Sequence, residues 1–232
     1  MKTVLVVEDE KVIRDFISFN LNAAGYNVLE TDSGEKAIEV FDENCDDIDV
    51  ALLDIMIPKK NGFEVCEHIR NKNLNVGIIF LSAKTQEEDK LIGLRGGADD
   101  YITKPFSTSE LIARLDSLYR RVSLLKNDAY KIKTDIITCG EYRLDLIKHN
   151  LMDGDRCIEL TQIEFQILEC FFRNSGEVIT RKYILEQVWG DPYYGDDKVV
   201  DVNIRRLRVK IEKDPSAPEH LLTLWGKGYI FK

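Results

Sequence analysis

The sequence predicts a doubly wound α/β domain with a five-stranded parallel sheet, followed by a smaller α+β domain. Five short β-branched runs alternate with amphipathic helical patterns over residues 1–122, whereas residues 137–232 combine short alternating runs with helices. A chain of 232 residues is long enough for two domains with separate cores. Between them, residues 123–136 lose the helical period and are polar, which predicts a linker.

Strands and helices alternate regularly through the first domain. Parallel strands need long crossover connections, and helices on both faces bury an otherwise exposed sheet, so this alternation predicts a parallel sheet. The strands are expected at residues 3–7, 27–30, 50–54, 76–82 and 100–103, and the helices at 11–24, from 33–34 onward, 63–71, 87–95 and 109–121.

Polar residues follow four of these strands. Glu8 and Asp9 end the first, Asp54 ends the third, Ser82 ends the fourth, and Lys104 follows the fifth. In a doubly wound sheet, ligands bind beyond the carboxyl ends of the strands, where the strand order reverses. We therefore expect these side chains to converge at one edge of the sheet.

Three carboxylates at one site repel one another and need a cation. With few ligands, all of them oxygen atoms, Mg²⁺ fits best. A carboxylate beside such an ion can attack phosphorus, which predicts Asp54 as a phosphoryl acceptor. Lys104 would offer an ammonium and Ser82 a hydroxyl to the phosphoryl oxygens. Pro105 permits a cis peptide bond that would aim Lys104 inward.

Each of these residues also has a purely structural interpretation. A carboxylate at a strand end is usually a loop residue or a helix N-cap, Ser82 alone fits a cap, and Lys104 alone fits a solvated charge. The strand order is assumed in this prediction and does not follow from the periodicity. The coincidence of these residues at the ends of several strands nevertheless favours a site.

Composition excludes several classes of protein. With 44% hydrophobic and 31% charged residues the chain has the make-up of a globular protein. No apolar stretch reaches the roughly 18 residues of a membrane span, so we expect a soluble, cytoplasmic protein with no membrane partner. The five cysteines, Cys45, Cys66, Cys139, Cys157 and Cys170, lack any CxxC spacing, so neither a zinc site nor a disulfide framework is predicted.

Charge is divided unevenly along the chain. Residues 1–122 carry a net charge of −8 and residues 123–232 a net charge of −1. Residues 198–213, "KVVDVNIRRLRVKIEK", contain six basic and two acidic residues at helical spacing. This segment predicts where an anionic partner binds.

The second domain shows strands first and helices after them. The segment "YRLDLIKHNLMDGDRCIEL" alternates with a turn at Asp153 and Gly154, which predicts antiparallel strands. Thr161 and Glu164 form a capping box that opens a helix to about Asn174. Further helices are expected at residues 181–188 and from residue 198, and "LLTLWGKGYIFK" predicts a closing hairpin.

These motifs carry a resemblance to a known family. The segments "VVEDE", "LLDIMIP", "FLSAK", "GADDYITKPF" and "ELIARLDSLYRR" resemble the flavodoxin-like receiver domain of bacterial two-component response regulators. The segments "LTQIEFQILECF", "VDVNIRRLRVKIE" and "GKGYIF" resemble the winged-helix domain of the OmpR/PhoB subfamily. The resemblance covers nearly the whole chain and implies a DNA-binding transcription regulator that is not an enzyme.

The resemblance also assigns roles at the predicted edge of the sheet. It implies that Asp54 accepts phosphate from a sensor histidine kinase and that Lys104 and Ser82 contact the phosphoryl group. Mg²⁺ would be bound by Glu8, Asp9, Asp54 and the backbone carbonyl of Met56. Tyr101 matches an aromatic switch residue that turns inward as Ser82 moves toward the phosphate, although plain packing explains Tyr101 equally well from the residues alone.

A homodimer on activation is the next implication. In the subfamily, two receiver domains meet through a symmetric face that is held by intersubunit ion pairs. Ion pairs between exposed side chains contribute only about 0 to 1 kcal/mol each to stability. The matching pairs in this sequence are Lys90 with Glu110, Asp100 with Arg114, and Asp99 with Arg121. Without the resemblance, a solvated charged helix face is the simpler interpretation.

The last helix and hairpin are expected to contact double-stranded promoter DNA. Arg206 and then Asn203 are the best candidates for base contacts on the polar stripe of the helix, since a recognition helix needs an apolar and a polar face. Phosphate contacts are expected from Arg205, Arg208, Lys210, Thr223 and Lys227. Trp225 stands where the family often has an arginine that reaches into the minor groove, and tryptophan cannot replace that charge. The loop at residues 190–197 matches a contact with RNA polymerase.

Two other functions compete with this interpretation. A phosphohydrolase using Asp54 as nucleophile would need an acid or base two residues later, where the sequence has Met56. A DNA-binding protein that no longer responds to phosphate would lack Asp54, Ser82 or Lys104, and all three are present.

Overall fold

The computed structural model describes residues 2–82, 97–127, 136–190, 193 and 196–232, without the side chains of residues 121 and 123–127. By contacts the chain divides into two compact units, Met1–Leu124 and Leu125–Lys232. Buried hydrophobic side chains lie in both units. The helix predicted at residues 87–95 lies outside the described residues.

The first unit contains the predicted five-stranded parallel sheet. Its strand order is β2-β1-β3-β4-β5, so the chain moves outward to one side of β1 and then continues on the other side. The strands are β1 (Lys2–Val7), β2 (Tyr26–Thr31), β3 (Val50–Asp54), β4 (Gly77–Ser82) and β5 (Asp100–Thr103), and the described helices are α1 (Lys11–Ala23), α2 (Gly34–Glu43), α3 (Gly62–Lys72) and α4 (Thr108–Asn127). The predicted doubly wound fold is confirmed.

Local sequence signals explain where several of these helices begin and end. Helix α1 is followed by Gly25 at a φ of +86°, a conformation that favours glycine. Helix α3 starts with a capping box in which Asn61 accepts from the Glu64 amide and Glu64 accepts from the Asn61 amide. β3 and β4 are buried along their whole length, as expected when helices cover both faces of a parallel sheet.

Helix α4 is longer than predicted. The sequence pattern ended it at residue 121, but the helix continues to Asn127. Residues 123–127 were predicted as linker and are helical instead. Their sequence, "SLLKN", contains neither glycine nor proline, and leucine and lysine have high helix propensity, so nothing in it stops the helix. Residues 128–135 lie outside the described part of the chain.

The described residues of the second unit form a sheet of four antiparallel strands, three helices and a hairpin. The sheet has the order β6-β7-β8-β9, and the hairpin pairs β10 with β11. The strands are β6 (Ile136–Cys139), β7 (Tyr142–Asp145), β8 (Asn150–Asp153), β9 (Arg156–Glu159), β10 (Leu221–Leu224) and β11 (Gly228–Phe231), and the helices are α5 (Gln162–Arg173), α6 (Arg181–Val188) and α7 (Lys198–Ile211). The predicted capping box of Thr161 and Glu164 is confirmed at the start of α5.

In the described part of the chain, no helix combines the length and the apolar character that crossing a membrane requires.

Candidate functional site

The predicted cluster of carboxylates forms at one edge of the parallel sheet. Glu8 and Asp9 directly follow β1, and Asp54 ends the neighbouring strand β3. One carboxylate oxygen from each of the three lies within 4.8 Å of the others. Glu8 and Asp54 are buried, whereas Asp9 is exposed. We call Glu8, Asp9 and Asp54 the acidic cluster.

Lys104 reaches into the acidic cluster from the loop after β5. Its Nζ lies 2.6 Å from Glu8 Oε2 and 2.6 Å from Asp54 Oδ2. The Lys104 amide donates to the Ser82 carbonyl at 2.7 Å, which fixes the backbone of this loop to the end of β4. The peptide bond between Lys104 and Pro105 is cis, the form that Pro105 permits. One ammonium thus faces three carboxylates.

The charges in this cluster are incompletely balanced. Burial raises the pKa of Glu8, as does the charge of Asp54, and the hydrogen bond from Lys104 opposes both without cancelling them. Burial lowers the pKa of Lys104, but its hydrogen bonds to Asp54 and Glu8 outweigh that effect and raise it. Lys104 therefore stays charged, and it offsets only part of the cost of burying the Glu8 carboxylate.

A hard divalent cation fits this arrangement. Glu8 Oε1 is buried and accepts no hydrogen bond from the residues that the structure describes, a costly state for a carboxylate oxygen. The other Glu8 oxygen already binds Lys104, so Oε1 is free to coordinate a metal. Asp54 Oδ1 accepts from the Met56 amide at 2.9 Å, which brings the loop after β3 against the carboxylate. The available donors are all oxygen atoms, the set that suits Mg²⁺.

Ser82 and Tyr101 lie on the two strands beside the cluster. Ser82 ends β4 and is buried, and its backbone is paired with Thr103 of β5. Tyr101 is also buried, in β5, opposite Phe80. The structure thus brings the hydroxyl predicted to meet the phosphoryl group to the same edge of the sheet as Asp54, and it places Tyr101 on the adjacent strand.

Four of the residues predicted for a dimer face, Asp99, Asp100, Glu110 and Arg114, form ion pairs within the chain. Arg114 lies 3.1 Å from Asp100 and 2.7 Å from Glu110, and it is buried. Asp99 lies 2.7 Å from Arg70 of α3 and accepts from the Ile78 amide, and its intersubunit pair with Arg121 stays a prediction. The side chain of Arg121 and the whole of Lys90 lie outside the described residues.

Helix α7 does not present all the residues that its pattern predicted. Asn203 was placed on the polar stripe, but it is fully buried and donates to the Val199 carbonyl at 2.8 Å. It also accepts from Arg206 at 3.3 Å, so Asn203 holds the arginine and is not itself an exposed contact. A helical wheel misses this because asparagine can satisfy a backbone carbonyl inside its own helix. Arg205 is exposed.

Two other predicted DNA contacts tie α7 to its surroundings. Arg208 donates to the Leu221 carbonyl and to the Thr223 hydroxyl, both at 2.8 Å, which joins the helix to the hairpin. Lys210 donates to Glu164 at 2.7 Å and to the Glu159 carbonyl at 2.9 Å. Both side chains therefore have a structural role in this conformation.

The hairpin turn presents a tryptophan to solvent. Trp225 is 90% exposed between β10 and β11, and Lys227 beside it is exposed. The arginine expected at this position is absent, so the hairpin tip offers an aromatic surface with one flanking positive charge.

Sequence reasoning missed one interaction in this unit. Arg181 of α6 lies 2.7 Å from Asp201 of α7, and the Tyr229 hydroxyl of β11 hydrogen-bonds to both. The Arg181 guanidinium also stacks 4.9 Å from the centre of the Tyr229 ring. The three residues are far apart in the sequence, so no local pattern signals this contact.

Two families match the chain in its two units. Residues 4–116 match the response regulator receiver domain, and residues 155–231 match the C-terminal domain of transcriptional regulatory proteins. The first match contains the acidic cluster, Ser82 and Lys104, and the second contains α7 and the hairpin.

Solved structures show the same relationship. The response regulator DrrB of Thermotoga maritima, described as an OmpR/PhoB homolog, is 33% identical over 100% of this chain and 99% of its own, with a TM-score of 0.50. A mutant of RitR is 25% identical over 100% of this chain and 99% of its own, with a TM-score of 0.77. A receiver domain from Clostridium thermocellum is 28% identical over 54% of this chain and 99% of its own, with a TM-score of 0.51.

Replacing Glu8 with glutamine should separate two effects of the buried charge: its cost to the stability of the fold and its contribution to Mg²⁺ binding. Without metal at neutral pH, Glu8→Gln should be more stable than the wild type, because burial raises the pKa of Glu8 and penalises its charged form. With Mg²⁺ at a hundredfold excess over its Kd, the wild type should gain about 2.7 kcal/mol and the variant clearly less. Hydrogen exchange of the β1 and β3 amides reports the stability of this unit alone.

The pH dependence provides a second check on the same variant. A carboxyl group with a raised folded-state pKa costs stability as the pH rises above its ordinary value of 4.5, so the advantage of Glu8→Gln should vanish near that pH. Glu10→Gln, at an exposed neighbour, is the matched control. Equal stability of wild type and Glu8→Gln at every pH and Mg²⁺ concentration would contradict this account.

Proposed function

The chain belongs to the DNA-binding two-component response regulators of the OmpR/PhoB type, and from this premise we propose that phosphorylation of Asp54 controls its binding to promoter DNA. The phosphoryl group comes from a sensor histidine kinase. The observation that carries the proposal is the acidic cluster with Lys104 bound to both of its buried carboxylates at 2.6 Å. Tethering an ammonium beside a nucleophilic carboxylate suits phosphoryl transfer.

The residues of the cluster divide the work of this transfer. Glu8, Asp9, Asp54 and the Met56 carbonyl would hold Mg²⁺, which supplies charge neutralisation on the phosphoryl oxygens when bound. An oxygen of Asp54 forms the new bond to phosphorus as the bond from phosphorus to the histidine nitrogen of the kinase breaks, and that electron pair stays on the imidazole. Lys104 and the Ser82 hydroxyl donate hydrogen bonds to the phosphoryl oxygens.

The phosphoryl group then acts as a switch. It adds charge and oxygen acceptors at the end of β3, which favours an arrangement in which the Ser82 hydroxyl approaches the phosphate and Tyr101 packs behind it. We further propose that two phosphorylated chains dimerise through one face of their first units. This face carries Lys90, Asp99, Asp100, Glu110, Arg114 and Arg121. Because Asp99, Asp100 and Arg114 are bonded within the chain, intersubunit pairs would require an exchange of partners.

In the second unit we propose that α7 enters the major groove of promoter DNA. The supporting features are its exposed Arg205 and its half-buried Arg206, which Asn203 orients. Thr223 and Lys227 of the hairpin would face the backbone, and Trp225 would contribute an apolar contact in place of a charge. RNA polymerase is the proposed partner of residues 190–197, of which 191, 192, 194 and 195 lie outside the described residues.

The proposed place of action is the cytoplasm, where a kinase-controlled DNA-binding protein meets both its kinase and its promoter.

A small phosphodonor distinguishes this switch from an enzyme. Acetyl phosphate with Mg²⁺ should add one phosphoryl group to the wild type and none to Asp54→Ala, as measured by intact mass. Inorganic phosphate should not be released continuously, because the position two residues after Asp54, where the phosphohydrolase needs an acid or base, is occupied by Met56, which is 66% exposed. Sustained turnover of the donor would support the phosphohydrolase alternative instead.

Two arginines of α7 should differ in their effects on DNA binding. Arg206→Ala should weaken binding to a preferred duplex by about 1 to 3 kcal/mol and relax its sequence preference, because its side chain is oriented for a base edge. Arg205→Ala should weaken binding to all sequences and reduce the salt slope by about one. Duplexes selected by the wild type from a random pool, titrated at several salt concentrations, provide the measurement. Unchanged affinity of Arg206→Ala would remove it from the contact surface.

A further inference from the structure

The loop between β3 and α3 packs against the start of α2 at a glycine. A Cβ atom on Gly34 would lie 2.0 Å from the carbonyl oxygen of Lys60 and 2.8 Å from its carbonyl carbon. Cβ atoms essentially never approach other atoms this closely, and the carbonyl group and Cβ of Lys60 that it would meet move only if the loop moves. Glycine alone permits this contact between the loop and the helix.

Other contacts hold the same part of the loop on α2. The Gly34 amide faces the Pro58 carbonyl at 3.5 Å. Lys59 adopts a left-handed conformation with a φ of +69°, which is unfavourable for a residue with a side chain. Its ammonium lies 2.8 Å from the Glu35 carboxylate in the first turn of α2. Backbone and side-chain contacts therefore both hold this loop against the start of α2.

The opposite end of the loop is fixed against α3. A Cβ atom on Gly62 would lie 2.3 Å from the Asp54 carbonyl oxygen, and the Gly62 amide donates to the Ile55 carbonyl at 3.1 Å. Asn61 is held by the capping box of α3. A displacement of Lys60 thus cannot be absorbed on the α3 side and must be taken up by residues 56–59.

We propose that Gly34 is a positioning residue for the metal site, acting through this loop. By admitting the Lys60 backbone it sets the position of Met56, whose carbonyl is the proposed backbone ligand of Mg²⁺. Met56 also donates to Asp54 Oδ1 at 2.9 Å, so the same displacement disturbs the orientation of the acceptor carboxylate. This inference rests on the proposed function and extends the site to a residue of α2 that touches neither metal nor phosphate.

Gly34→Ala is the direct test. Alanine has a higher helix propensity than glycine, so at the first position of α2 the change is favourable except for the loop. The variant should bind Mg²⁺ about tenfold more weakly, in the range found when residues behind a metal ligand are changed. Calorimetric titration of the full chain with Mg²⁺ measures this. In the metal-free protein, amides of residues 56–60 should exchange with solvent faster than in the wild type.

Glu39→Ala, at an exposed position of α2, is the matched control, because it alters the same helix without adding an atom against Lys60, and it should retain near wild-type Mg²⁺ affinity. If Gly34→Ala does not fold, Pro58→Gly decides, since it loosens the loop without touching α2 and should weaken Mg²⁺ binding similarly. A folded Gly34→Ala with wild-type affinity and exchange rates, or a Pro58→Gly with unchanged affinity, overturns the inference. Failure of the wild type to bind Mg²⁺ would instead contradict the proposed metal site itself.

Discussion

The ammonium of Lys104 between two buried carboxylates is the interaction on which the first unit's site depends. Placing Glu8 and Asp54 side by side in the protein interior is unfavourable unless positive charge compensates them. Lys104 compensates part of this charge, and Glu8 Oε1, which accepts no hydrogen bond from the described residues, lies where a bound cation would complete the compensation. Such a site favours the binding of a divalent cation. A phosphoryl group on Asp54 would then change the balance between the carboxylates and Lys104.

The fold explains why these groups meet. β1 and β3 are parallel neighbours, so their carboxyl ends deliver Glu8 and Asp54 to one edge, while the loop after β5 crosses back to deliver Lys104. In the second unit, by comparison, the polar groups of α7 serve mainly to hold the helix. Asn203 and Arg208 bind backbone or hairpin groups, which fixes the orientation of the surface that carries Arg205. Rigid support of this kind makes a contact surface more specific.

The sequence pattern predicted the sheet and the acidic cluster because strands buried on both faces are short apolar runs, and the polar residues that follow them mark where each strand ends. It failed where a polar side chain turns inward. Asn203 lies on the polar stripe of a helical wheel but is buried and donates to the Val199 carbonyl of its own helix. The packing of Gly34 against the loop after β3 was equally invisible, since a close approach between distant backbone segments leaves no local pattern.

The most direct test of the account compares DNA affinity with and without phosphodonor for the wild type and Asp54→Ala at one salt concentration. Coupling between two sites in a protein usually changes affinity by roughly 5- to 150-fold. The account predicts a gain in this range for the wild type on treatment with acetyl phosphate and Mg²⁺, and none for Asp54→Ala. An equal gain in both proteins, or no gain in either despite phosphorylation of Asp54, would contradict it.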